Sequence, residues 1–158
     1  MSFSHEISVS DLLSPKAILL DLTELDKTEL LHFLCTKISK LYPDVDLQIF
    51  FTDIMKREND LSTGIGNHIA IPHAFAESVQ KMHLLFATHT GVEYDSLDGK
   101  PVNIIFMLAI PPADKLIYAA FLTEVSKLMR IKELREAIMN AHSTEYVITL
   151  FQKYEGTD

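Results

Sequence analysis

Apolar residues along this chain fall into two kinds of run, some spaced three to four apart and some continuous, and the two kinds alternate. Leu30, Leu31, Phe33, Leu34, Ile38 and Leu41 recur at helical spacing, which predicts an amphipathic helix over about 27–41. Asp26-Lys-Thr-Glu29 marks its start with the spacing of a capping box, aspartate serving as N-cap. Pro43 stands just beyond its end. Leu47, Ile49, Phe50, Ile54 and Met55 predict a second helix over about 46–58. Ser8 to Leu13 reads as a short first helix closed by Ser14-Pro15. Ala17–Leu22, Ile69–Ile71 and Met82–Thr88 are short apolar runs that read as strands, with a glycine-bearing loop before the second. Val102–Ile110 is apolar at both alternating sets of positions, the pattern of a strand covered on both faces in the middle of a sheet. Asp98-Gly99 signals a turn before it, and Pro111-Pro112 ends it. Helices are predicted over about 115–129, 131–141 and 144–153, the last with Ser143 as N-cap. Helices flanking a doubly covered strand imply an α/β fold, a three-layer α/β/α sandwich. Hairpin-length connections between some strands imply a mixed sheet.

Composition narrows the function classes. The 158 residues fit one domain, taken as 1–158, and 47% hydrophobic with 23% charged residues is a globular balance. The net charge of −8 argues against nucleic-acid or anionic-membrane binding, which needs basic patches. No apolar run approaches the roughly 20 residues of a membrane span. Residues Met1 to Glu6 lack the basic start and apolar stretch of a signal peptide, so the cytoplasm is the expected location. Cys35, the single cysteine, excludes an internal disulfide and an all-cysteine zinc site, and its apolar neighbours place it in the core. His68 and His73 have no third ligand at metal spacing, so no metal is expected. His32 is expected to face solvent, His83 and His89 to stand at strand ends, and His142 at a helix boundary. No Gly-x-Ser-x-Gly elbow is present.

The chemistry concentrates in Arg57-Glu-Asn-Asp-Leu-Ser-Thr-Gly-Ile-Gly-Asn-His-Ile-Ala-Ile-Pro-His-Ala74. Gly64 and Gly66 free the backbone to turn successive N–H groups toward one anion. Ser62 and Thr63 offer hydroxyl donors, and Arg57 offers a forked cation suited to phosphate oxygens. His73 follows a short strand, with Pro72 restricting the backbone before it. An anion-binding loop beside a fixed imidazole suits phosphoryl transfer to nitrogen: one ring nitrogen attacks while the other N–H holds orientation. Taken singly, a glycine pair is only a turn and a histidine after proline only an exposed ring. Gly64-Ile-Gly66 is not a Walker A loop, because no Gly-Lys-Ser/Thr follows.

The whole string resembles the signature of the fructose/mannitol-class IIA proteins of the bacterial phosphotransferase system. That signature runs Arg-Glu, a few residues, then Ser-Thr-Gly-Ile-Gly-Asn-Gly-Ile-Ala-Ile-Pro-His-Gly/Ala. Arg57, Glu58, Ser62 to Asn67 and Ile69 to Ala74 match it. A weaker likeness continues through Gly91–Val102, the strand to Pro111, and Leu122–Leu128. The chain's length and its Glu155-Gly-Thr157 ending look most like the nitrogen-regulatory IIA branch. The resemblance implies a mixed sheet between helices and a phosphotransferase without an organic cofactor or tightly bound metal. It implies that His73 accepts a phosphoryl group from an HPr-like phosphocarrier, that Arg57 lies beside it, and that Ser62, Thr63 and Gly64 form the phosphate-cradling loop.

This sequence departs from the signature twice. The glycine after Asn67 is His68 here, and the second active-site histidine of many family members aligns with Tyr118. A tyrosine donates a hydrogen bond but is no imidazole-like acid or base near neutral pH. His68 is either a tolerated surface change or a replacement for the missing imidazole. Three outputs follow from the resemblance: a regulator whose phosphorylation state selects partner proteins, a sugar-specific IIA component passing phosphate to a IIB domain, or a binding module that has lost transfer.

Overall fold

A computed structural model describes residues 7–156 of the chain. The N-terminal stretch read above for a signal peptide, and Thr157, lie outside the described residues. Six strands and six helices follow in order: α1 (Val9–Leu12), β1 (Ile18–Leu22), α2 (Lys27–Leu41), α3 (Leu47–Asp60), β2 (Gly64–Gly66), β3 (Ile69–Ala70), β4 (His73–Phe75), β5 (His83–Val92), β6 (Val102–Ile110), α4 (Lys115–Leu128), α5 (Lys132–Met139) and α6 (Thr144–Glu155).

Local chemistry sets the helix starts. Asp26 accepts from the Glu29 amide while the Glu29 carboxylate accepts from the Asp26 amide, the reciprocal capping box read from the sequence. Asp46 caps α3 through the Ile49 amide at 3.0 Å, and Ser143 caps α6 through the Tyr146 amide at 3.2 Å.

One mixed sheet forms the middle layer, in the order β1-β5-β6-β3-β2, with β4 also on β6. β5 and β6 pair antiparallel, and β1 runs parallel to β5. β3 and β4 lie in tandem along the other edge of β6, both parallel to it, with Ile69 opposite Ile104 and His73 opposite Leu108. Alternation along β6 separates two cores. Ile104, Phe106, Leu108 and Ile110 join residues of α4, α5 and α6 on one face. Ile105, Met107 and Ala109 join those of α2 and α3 on the other. The layers are therefore α/β/α, with β6 buried from Ile104 to Ile110, where its run is apolar throughout. Cys35 is fully buried on the α2–α3 side, and burial pushes its thiol up to about 12.

Three strand readings need correction. Gly64–Gly66 is a strand and not loop, and His73–Phe75 is a further strand. β5 runs past Thr88 to Val92 across a register shift at which Gly91 adopts φ +139°. These short or irregular segments have no alternation of their own; pairing with β3 and β6 makes them extended. His89 consequently sits inside β5 and is buried, not at a strand end. His83 does begin β5 and binds the Asp44 carboxylate at 2.9 Å. His32 is exposed, and His142 binds Asp21 at 2.8 Å.

Candidate functional site

Pro72 has no N–H to give the sheet, so the chain leaves β3 and rejoins β6 as β4 one residue later. His73 is the first residue of that rejoined strand, half-buried. Its Nδ1 lies 2.8 Å from the Ile71 carbonyl and its Nε2 lies 3.0 Å from the Tyr118 hydroxyl. A carbonyl oxygen only accepts, so Nδ1 carries the proton and Nε2 holds the lone pair. Tyr118 then donates its hydroxyl proton to Nε2. Burial of the ring holds the His73 pKa below the ordinary histidine value. The Ile71 bond opposes this, the Arg57 guanidinium lowers it further, and the Glu58 carboxylate opposes again. The group is a neutral imidazole with one fixed tautomer, which is the nucleophilic form.

His73 lines a pocket of about 260 Å³ together with Asp53, Lys56, Arg57, Asp60, Ala74 and Phe75. The last turns of α3 supply Arg57, whose guanidinium donates to the Leu61 carbonyl at 2.6 Å and keeps other N–H groups available. A larger groove of about 940 Å³ is bordered by α1, α4 and α6; among the described residues, no imidazole borders it. Among the described residues, no group of three or more His, Cys, Asp or Glu could hold a metal ion.

Arg57 and His73 meet at one pocket, while Ser62, Thr63 and Gly64 are committed elsewhere. The Ser62 hydroxyl donates to the Tyr94 carbonyl at 3.0 Å and accepts from the Gly64 amide. The Thr63 hydroxyl donates to the Glu58 carboxylate and lies 3.1 Å from the Tyr94 hydroxyl. Each hydroxyl has one proton, so in this structure both are already donated within the protein. They stiffen the segment instead. A Cβ at Gly64 would collide with Ser96, which explains glycine there.

Sequence reasoning missed the network beneath this segment. Glu58 is buried at the end of α3, 3.1 Å from the Lys27 ammonium and 3.1 Å from the Thr63 amide. The Lys27 ammonium also lies 4.4 Å from the centre of the Tyr94 ring. Glu58 stood inside the matched string, but nothing local marked it as interior.

The family model for the phosphoenolpyruvate-dependent sugar phosphotransferase system EIIA 2 matches residues 11–154. The chain belongs to this EIIA family. It is 27% identical over 140 residues to a nitrogen regulatory protein of Pseudomonas aeruginosa, covering 88% of this chain and 91% of that one. It is 30% identical over 150 residues to the fructose-specific EIIABC component of Bacillus subtilis, covering 94% of this chain but only 24% of that larger protein. The crystal structure of the nitrogen regulatory protein IIA-Ntr from Neisseria meningitidis superposes with a TM-score of 0.77 at 28% identity, covering 90% of this chain and 98% of that one. The Escherichia coli mannitol IIA, solved in complex with phosphorylated IIB, shares the fold at a TM-score of 0.77 and 19% identity, covering 89% of this chain and 97% of that one. No helix among the described residues is long and apolar enough to cross a membrane.

Against the EIIA signature, His68 occupies a left-handed position. Asn67 and His68 have φ of +55° and +69°, the two central residues of a tight turn between β2 and β3. The cost of a β-carbon there is offset by a hydrogen bond from the His68 ring to the Pro101 carbonyl at 2.9 Å. The His68 carbonyl accepts from Asn103 and Ile104, whereas His73 pairs with Leu108. The two histidines thus sit about five residues apart along β6, roughly 16 Å at strand spacing. The reading of His68 as a replacement imidazole is corrected: distance and its own bond to Pro101 keep it from His73. Tyr118, by contrast, donates directly to His73 Nε2.

Proposed function

We propose that this EIIA chain is a phosphohistidine carrier working in the cytoplasm, with His73 taking a phosphoryl group from an HPr-like protein. The observation that carries the reading is the imidazole held by Ile71 as a neutral ring, its Nε2 lone pair bare of a proton, at a pocket shared with Arg57. Nε2 forms the new N–P bond as the donor's N–P bond breaks, and that electron pair returns to the donor's ring nitrogen. The His73 ring becomes positively charged, and the Ile71 carbonyl stabilises its N–H. Arg57 stabilises the equatorial oxygens in transfer. The reaction as written requires no cofactor.

The output is regulatory: two negative charges added in a shallow pocket alter which partner proteins bind. Support comes from nitrogen regulatory proteins whose own lengths this chain nearly spans, 91% and 93% for two of them. The second reading, a sugar-specific component passing phosphate to a IIB domain, draws on the fructose-specific relative at 30% identity.

Intact mass after incubation with a phosphorylated HPr-like donor tests the proposal. The expected result is an acid-labile gain of one phosphoryl group, absent in His73→Ala. No gain from a donor that phosphorylates a control acceptor would leave a non-catalytic binding module. Rapid transfer onward to a cognate IIB domain would favour the sugar reading.

A further inference from the structure

We propose that the Tyr118 hydroxyl follows the phosphoryl group: it donates to His73 Nε2 in the free protein and to a phosphoryl oxygen once Nε2 is phosphorylated. This tyrosine thereby holds the phosphohistidine, and its ring position reports the phosphorylation state. The inference rests on His73 being the acceptor.

The geometry forces a movement. Tyr118 Oη lies 3.0 Å from Nε2 and takes up its lone pair. The N–P bond must form with that same lone pair, so phosphorus and its oxygens need the place the hydroxyl occupies. The hydroxyl releases Nε2, keeps its proton, and turns it toward the strongest acceptor then beside it, a phosphoryl oxygen. No proton leaves either partner; one hydrogen bond changes its acceptor while the N–P bond forms.

The exchange favours the phosphorylated form, because a neutral ring nitrogen is replaced by a charged oxygen, and charge-assisted bonds are the stronger kind. Burial raises the Tyr118 pKa, with Arg57 working against it, so the hydroxyl keeps its proton throughout the neutral range. The ring has room to register the change. It is half-buried in the first turn of α4, with its centre 4.9 Å from that of His73 and 5.6 Å from that of Phe75, which it meets edge-on. Its neighbours Leu116 and Ile117 are 66% and 37% exposed. A shift of the tyrosine ring therefore alters its edge-on contact with Phe75, which is itself 37% exposed.

Wild type and Tyr118→Phe, which keeps both ring contacts, are equilibrated with the same ratio of phosphorylated to free HPr-like donor. Matched thermal melts establish that both are folded. The phosphorylated fraction is read by intact mass, the phosphohistidine by its phosphorus resonance, and Tyr118 by its ring proton resonances. The expected result is a fall of about three- to thirtyfold in the phosphorylated-to-free ratio for Tyr118→Phe, the difference between losing a bond to a charged oxygen in the phosphorylated form and losing the weaker bond to neutral Nε2 in the free form. The phosphorus resonance should shift in the variant, and the Tyr118 ring resonances should move when the wild type is phosphorylated. An unchanged or increased ratio, or Tyr118 resonances that stay in place, overturns the inference and makes the hydroxyl only a plug on the lone pair. If the wild type takes no phosphoryl group from a competent donor, the acceptor role fails and this inference with it. If the wild type is phosphorylated on His73 and the variant equals it, this inference alone fails.

Discussion

Replacing Lys27 with methionine keeps most of the stem and removes the ammonium, which leaves Glu58 as a buried carboxylate without its counter-charge. The Glu58 side chain is 1% exposed and that of Lys27 17%, with 3.1 Å between Oε1 and Nζ. Breaking a buried pair on one side costs about 3–5 kcal/mol. Water reaches the Lys27 side, so about 2–3 kcal/mol is expected here, below the fully buried range. For a domain of this size each kcal/mol moves the melting temperature by about 2–4 °C, which puts the fall at roughly 4–12 °C. Glu58→Gln keeps the shape but weakens the bonds to the Thr63 amide and hydroxyl, at about 1.5–3 kcal/mol. In the double variant the missing ammonium no longer leaves a charge stranded, so its cost should approach that of Glu58→Gln alone. The coupling then approaches the whole cost of Lys27→Met, about 2–3 kcal/mol, well above the 0.3–0.5 kcal/mol within which independent sites add. Urea unfolding followed by far-ultraviolet circular dichroism measures all four proteins, the chain having no tryptophan for fluorescence. Additive losses, or a Lys27→Met cost below about 0.5 kcal/mol, would refute the reasoning.

Arg57→Ala should slow phosphorylation of the chain by about 10²–10³-fold, the scale of losing one preorganised donor to a developing charge. Arg57→Lys should fall between, since it keeps charge without the planar fork; stopped-flow or quench-flow phosphorylation measures both. His68→Ala should leave the phosphorylation rate at the wild-type value, because the ring is engaged at Pro101 away from His73; a large loss of rate would restore His68 to the site. His73 has a folded-state pKa below its unfolded value, so the unfolded chain binds more protons in the window between them. Stability from this group is complete above the ordinary histidine value of 6.5 and is lost as pH falls through the lowered folded value. Urea midpoints across that range should decline less for His73→Gln than for the wild type.

Where the sequence spoke clearly, a local rule was sufficient. Asp26 and Glu29 at capping-box spacing fixed the first residue of α2, and the apolar run Ile104–Ile110 marked β6 as interior. The tandem strands β3 and β4 were only half legible, because three residues starting at His73 have no periodicity and become a strand through Leu108 to Ile110. At the site, the pairing of His73 with Arg57 followed from residue type and order. The engagement of Ser62 and Thr63 did not, because their partners Glu58 and Tyr94 are interior only in the folded chain. Tyr118 was placed by alignment, yet its bond to Nε2 depends on how α4 packs over β4, which no spacing in the sequence records.

These contacts join α2 to His73 in one line. The Lys27 ammonium faces Glu58, which holds the Thr63 amide. The Thr63 carbonyl accepts from the Ile71 amide at 3.0 Å, and the Ile71 carbonyl holds His73 Nδ1 at 2.8 Å. A loss at Lys27 should therefore be felt in the orientation of the imidazole as well as in stability. Leu34→Ala provides the comparison: Leu34 is fully buried in the same helix, its truncation costs about 2–5 kcal/mol, and it makes none of these bonds. Measured where both variants are folded, Lys27→Met should lower the rate of His73 phosphorylation while Leu34→Ala leaves it near the wild-type value. Equal rates in the two would mean that the line through Thr63 and Ile71 supports the fold but does not orient the reacting ring.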